Sequence, residues 1–180
     1  MVRNLLALFS MLVSVIATGQ SGDEELISWS AGKKLTWADY KGSPKPESDA
    51  VASTATYLGI EYSFNNKGFG YKITCSFSKT RSWGSHKTDY VLAHEQGHFD
   101  IAEIFARKLN WRMSEYRFNK NSFKTDLKKI YDDITTEKEN MQNEYDKETN
   151  HSIKKEKQVE WLKKIGQLLA EYQDFSNYNK

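Results

Sequence analysis

An α+β domain is the fold class this sequence predicts, and three observations predict it. Runs rich in Thr and aromatic residues, with a period of two, fall in the first half of the chain. Apolar residues spaced by three and four fill the second half, and the first of these helical stripes carries two histidines. With strands first and helices after, a small antiparallel sheet is expected to pack on the first helix, and two long amphipathic helices to complete the core.

The length of 180 residues suits one domain with its own core better than two. Residues 1–19 stand apart from it. Arg3 precedes a mostly apolar run from Leu5 to Ala17 that ends in small residues, the pattern of a secretory signal peptide cleaved before Gln20. An uncleaved anchor is the alternative, but the apolar run is too short for the roughly 20 residues a bilayer needs. The expected division is therefore a leader over 1–19 and a single domain over 20–180, secreted or periplasmic, with no membrane span once the leader is gone. The 26 basic and 24 acidic residues are interspersed, so no basic patch argues for nucleic acid. Cys75 is the one cysteine, and its place in a strand-like run marks it as a small buried hydrophobe.

Short extended segments are expected at Ile27-Ser28-Trp29-Ser30 and Leu35-Thr36-Trp37, followed by a loop where Gly42, Pro44 and Pro46 cluster. Residues 52–63 and 71–77 read as the strands of a hairpin joined by the turn Asn65-Asn66-Lys67-Gly68. Thr88 is placed to cap a helix with Asp89 in its first turn. That helix runs to about Asn110 or beyond, with Val91, His94, His98, Ile101, Ala102, Phe105 and Leu109 on one face. A second helical stripe joins Leu127, Ile130, Tyr131, Ile134, Met141 and Tyr145. A third joins Val159, Trp161, Leu162, Ile165, Leu168, Leu169 and Tyr172.

The chemistry is concentrated in His94-Glu95-Gln96-Gly97-His98. Two histidines four apart on a helix differ by about 40° around the axis and by one turn along it, so both rings reach one point. Neutral imidazole is a favoured zinc ligand, and a zinc ion with three protein ligands keeps one position for water. Glu95 then stands as general base, taking a proton from the attacking water and handing it to the leaving amine. The competing account, two core histidines sharing an apolar stripe, must leave their nitrogens partners in an apolar setting, which is costly. Chance would place the pattern in a chain of this composition less than about once in a hundred. Gly97 costs about 1 kcal/mol relative to Ala inside a helix, so either a backbone near the metal or tight helix packing needs its space.

The helix cannot supply the third ligand, because Asp100 and Glu103 point away from the two rings. Glu115, Glu137, Glu139, Glu144, Asp146, His86 and His151 remain candidates. His151 is preferred, since it falls at the break between the second and third helical stripes, where functional groups concentrate. In that arrangement Asp146 accepts a hydrogen bond from a ligand imidazole and Tyr145 offers its phenol to the developing oxyanion.

The run Leu92-Ala93-His94-Glu95-Gln96-Gly97-His98-Phe99-Asp100-Ile101-Ala102-Glu103, with Ala106-Arg107 after it, resembles a bacterial family of predicted secreted zinc-dependent proteases known as a domain of unknown function. Leu35-Thr36-Trp37-Ala38-Asp39-Tyr40-Lys41-Gly42, Ser82-Trp83 and Tyr145-Asp146-Lys147-Glu148-Thr149-Asn150-His151 resemble other motifs of that family, so the likeness spans roughly residues 27–170. The family's late histidine is usually followed by glycine, where this chain has Ser152. The resemblance implies export, a zincin-like metal helix and His151 as third zinc ligand.

The expectation is thus a secreted zinc metallohydrolase, a peptidase acting on a protein or peptide substrate. His94, His98 and His151 hold Zn2+, Glu95 is the base, and Tyr145 and Asp146 assist. The alternative from another class is a secreted metal-binding or interaction module that hydrolyses nothing; four protein ligands closing the site would favour it.

Overall fold

The computed structural model describes residues 24–44, 50–65 and 68–178; the expected leader lies outside the described residues. The fold is α+β. Strand β3 (Thr56–Asn65) pairs antiparallel with β4 (Gly68–Ser78) in a long hairpin whose register runs from Thr56↔Phe77 to Asn65↔Gly68. β1 (Leu26–Ser28) adds to the free edge of β4, giving the order β1-β4-β3. Ile73, Cys75 and Phe77 alternate along β4 and are buried on one face, with Leu58 and Ile60 opposite Cys75 and Ile73. That spacing of two sends one face of the sheet into the core.

The expected strand over 52–63 is broken. Ala52–Ser53 forms β2, which pairs not with the hairpin but with β5 (Trp83–Gly84), and the chain resumes as β3 only at Thr56. Leu35-Thr36-Trp37 is also not extended throughout. Thr36 opens a 3-10 turn over Trp37–Asp39, because the Asp39 carboxylate accepts from both the Thr36 amide (2.9 Å) and its hydroxyl (2.8 Å).

Helix α1 (Asp89–Glu115) begins where expected, with the Thr88 hydroxyl accepting from the Val91 amide at 3.2 Å. It is buried far beyond one stripe, since the sheet covers one side and helices α2 (Phe123–Thr149) and α3 (Lys155–Glu171) cover the other. Ile101, Ala102, Ile104, Ala106 and Leu109 are inaccessible, and the buried pair Glu103–Arg107 closes on itself at 2.8 Å. On α3 the expected core residue Val159 is exposed, and its neighbour Gln158 is buried instead, donating to the Tyr90 carbonyl at 3.0 Å.

α2 ends in three consecutive non-glycine residues of positive φ, Asn150 (50°), His151 (51°) and Ser152 (72°). The amides of Asn150 and His151 both donate to the Asp146 carbonyl, closing the helix end before the chain turns back into α3.

Candidate metal centre

His94 and His98 lie one turn apart on α1, and the last turns of α2 cross in front of them. Their Nε2 atoms are 3.3 Å apart, and Asp146 Oδ1 on α2 is 3.1 Å from each. A tetrahedral metal with ligand bonds of 2.0–2.1 Å has ligand atoms about 3.3 Å apart, so the three atoms form one face of such a site. Among the described residues these three form the group able to converge on one metal ion.

The tautomer of His98 sharpens the argument. Gln142 Nε2 donates to the His98 carbonyl at 2.9 Å, which turns Gln142 Oε1 towards His98 Nδ1. Nδ1 therefore carries a proton, and Nε2 is the nitrogen left to face Asp146, able to present a lone pair to a metal whenever the ring is neutral. A lone pair facing a carboxylate oxygen at 3.1 Å is repulsive unless a cation or a proton lies between them. His94 lacks the corresponding support, because its buried Nδ1 has no hydrogen-bond partner among the described residues. Its ring is held instead by stacking on Tyr145, with centroids 4.4 Å apart.

Electrostatics follow from the same contacts. Burial works to raise the Asp146 pKa, but hydrogen bonds with both rings outweigh it and hold the carboxyl well below its usual range. Burial lowers the His94 pKa, only partly opposed by Asp146. Burial also opposes protonation of His98, yet Asp146 and Glu95 outweigh it and raise that pKa.

The arrangement differs from the sequence expectation at three positions. Asp146, expected as the acceptor behind a ligand imidazole, is itself the third converging donor, because α2 continues to Thr149 and turns this residue inward. His151, expected as the third ligand, lies beyond the helix end with a mostly exposed ring, its Nδ1 3.5 Å from Asp146 Oδ1. Tyr145 is corrected outright. It is fully buried, and its hydroxyl donates to the His94 carbonyl at 3.3 Å, so this phenol is turned away from the cleft. Tyr145 also explains Gly97: a Cβ there would sit 2.6 Å from the Tyr145 hydroxyl, so tight helix packing uses the space.

Glu95 is buried beside the three donors, and its Oε2 accepts from the Thr54 hydroxyl at 2.6 Å. Sequence reasoning missed Thr54, whose role depends on the break between β2 and β3. It also missed Gln142, although its spacing of four before Asp146 places both on one face of a helix. The cleft in front of these groups has a volume of about 510 Å3, with residues 50–56 along one wall and Lys138, Gln142, Asn143 and Asp146 along the other.

Residues 22–152 match the family described as a bacterial protein of unknown function, DUF922. The chain belongs to this family. The DUF922 match takes in β1 to β5, α1, α2 and the turn through Ser152, hence every residue of the centre, and leaves α3 beyond it. No curated protein and no solved structure matches the chain. Ser152, the last residue of the match, has a φ of 72°, a conformation that glycine adopts without strain. Among the described residues no helix is long and apolar enough to cross a membrane.

Proposed function

We propose that this DUF922 chain is an exported zinc hydrolase that cleaves peptide bonds, with His94, His98 and Asp146 holding the metal and Glu95 acting as general base. The observation that carries the reading is the convergence of three acceptor atoms at 3.1–3.3 Å, with a carboxylate beside them that belongs to none of those contacts. Asp146 and Glu95 bring two negative charges to a buried site, and a divalent cation compensates both. When bound, the metal supplies Lewis-acid polarisation of the carbonyl and acidification of water.

The protein's own groups account for the rest. Gln142 fixes the His98 tautomer so that Nε2 is free to ligate. Glu95 takes a proton from the attacking water and delivers it to the leaving nitrogen. The wall formed by residues 50–56 contains β2, whose partner β5 occupies one edge, and this suits a substrate lying extended along the cleft. The leader-like pattern of residues 1–19 supports export, and a small sheet beside a His-Glu-x-x-His helix suits a zincin-like arrangement.

The test is elemental analysis of protein purified without added metal, joined to assays of wild type and Glu95→Gln on a broad peptide library. Zinc at one ion per chain in both proteins, with cleavage only by wild type, is the expected result. Iron in place of zinc would redirect the reading to oxidative chemistry, since ferrous iron favours the same pair of histidines and one carboxylate. Absence of both metal and cleavage would overturn it.

A further inference from the structure

Glu95 is fastened to the cleft wall by two hydroxyls in series. Tyr40 Oη lies 2.8 Å from Thr54 Oγ1, which lies 2.6 Å from Glu95 Oε2. Thr54 has one hydroxyl proton, and the carboxylate can only accept, so that proton goes to Glu95 and the Tyr40 hydroxyl must donate to Thr54. Burial, with the Glu95 charge adding to it, pushes the Tyr40 pKa far up, which keeps its proton in place. The result is a one-way chain, Tyr40 to Thr54 to Glu95, in which each donor strengthens the next.

We infer that Thr54 is a positioning residue for the base: it occupies Oε2, leaves Oε1 to the reacting proton, and ties Glu95 to the wall that substrate must touch. The inference rests on the proposed hydrolase reading. A free glutamate side chain has several rotamers to lose, and a charge-assisted hydrogen bond removes that freedom before substrate arrives. The strand is itself rigidly placed. The Val51 carbonyl accepts from the amides of Ser85 (2.8 Å) and His86 (3.2 Å), and the Ala55 amide donates to the buried Ser82 hydroxyl at 2.9 Å, so Thr54 is pinned on both sides. Tyr40 is packed between Trp37 and Phe77, with ring centroids at 4.9 and 5.1 Å. An ordinary satisfied hydroxyl needs neither a donor behind it nor a pinned strand around it.

Acetohydroxamate is the probe, because it chelates zinc and yields its hydroxyl proton to a neighbouring carboxylate, which gives a readout independent of any substrate. Calorimetric titrations would compare the zinc-loaded full chain with Glu95→Gln, Thr54→Val, Thr54→Ser and Tyr40→Phe, zinc affinity being measured alongside. Thr54→Val should bind the hydroxamate about tenfold more weakly at unchanged zinc affinity, Thr54→Ser should recover to within about twofold of wild type, and Tyr40→Phe should fall between. Thr54→Val binding as tightly as wild type would overturn the inference. So would Thr54→Ser as weak as Thr54→Val, since methyl packing rather than the hydroxyl would then matter. Zinc-loaded wild type that ignores the hydroxamate would overturn the hydrolase reading and this inference together, a result distinct from the other two.

Discussion

Asp146 and His151 compete for one role, and their surroundings divide them. Asp146 Oδ1 touches both imidazoles at 3.1 Å, whereas His151 reaches only that carboxylate and carries an exposed ring whose ordering on a metal would cost side-chain entropy. Zinc affinity measured by competition with a chromophoric chelator should therefore fall more than about a hundredfold in Asp146→Asn, which loses the charge and a ligand. It should change less than about threefold in His151→Ala, and Gln142→Leu should cost about ten- to a hundredfold by freeing the His98 ring. Equal losses for His151→Ala and Asp146→Asn would mean that His151 swings in as a ligand. The legibility of the site in the sequence follows the same division. His94, Glu95 and His98 could be read because a helical turn is local geometry; the third donor could not, because its choice depended on where α2 stops. Reading residues 145–152 as the break between two helices favoured His151, while α2 in fact continues to Thr149 and turns Asp146 inward.

Between elements, the site depends on how closely α2 approaches α1. Gly97 and Tyr145 set that approach, and the Tyr145 ring lies against both His94 (4.4 Å) and His98 (5.1 Å) while its far side meets Trp161 of α3 (5.4 Å). Ala at position 97 gains about 1 kcal/mol of helix propensity, but its Cβ would stand 2.6 Å from the Tyr145 hydroxyl and 3.0 Å from its ring, and that ring is boxed in. Overpacking of this kind costs about 1–3 kcal/mol, so Gly97→Ala should be destabilised by up to about 2 kcal/mol net in urea unfolding. Adding Tyr145→Phe removes the nearest atom and should recover part of the loss. A stabilised Gly97→Ala would show that the helices part freely. The sequence announced all three helices through their periodicity, and it announced the hairpin. It did not announce the depth of α1, because a single-stripe argument assumes one covered face and α1 has two. Val159 and Gln158 exchanged roles for a related reason: the Tyr90 carbonyl gives an amide side chain a buried partner that no periodicity reveals.

At the scale of the whole molecule, the sheet side and the helical side meet α1 on opposite faces, and the cleft is where both contribute chemistry. α1 and α2 supply the three converging atoms, while the segment between β2 and β3 holds the Glu95 carboxylate. A bound cation therefore cross-links α1 to α2, whereas the hairpin core of Ile73, Cys75 and Phe77 packs away from the cleft. Metal removal should accordingly weaken one end of the molecule without unfolding the rest. Zinc at about a hundred times its dissociation constant adds about 2.7 kcal/mol to the native state, which for a domain of this size raises Tm by roughly 5–10 °C over the chelator-treated protein. Hydrogen exchange should localise the change. Amides of 94–98 and of the α2 end through Ser152 lose protection in chelator, because Asp146 and the two rings are left with unbalanced lone pairs. Amides paired between β3 and β4 keep theirs, since their ladder does not depend on the centre. Zinc that shifts neither Tm nor exchange would remove the cross-link and the metal centre with it. A uniform loss across sheet and helices would instead make the metal a global folding element, as in small domains that cannot fold without one.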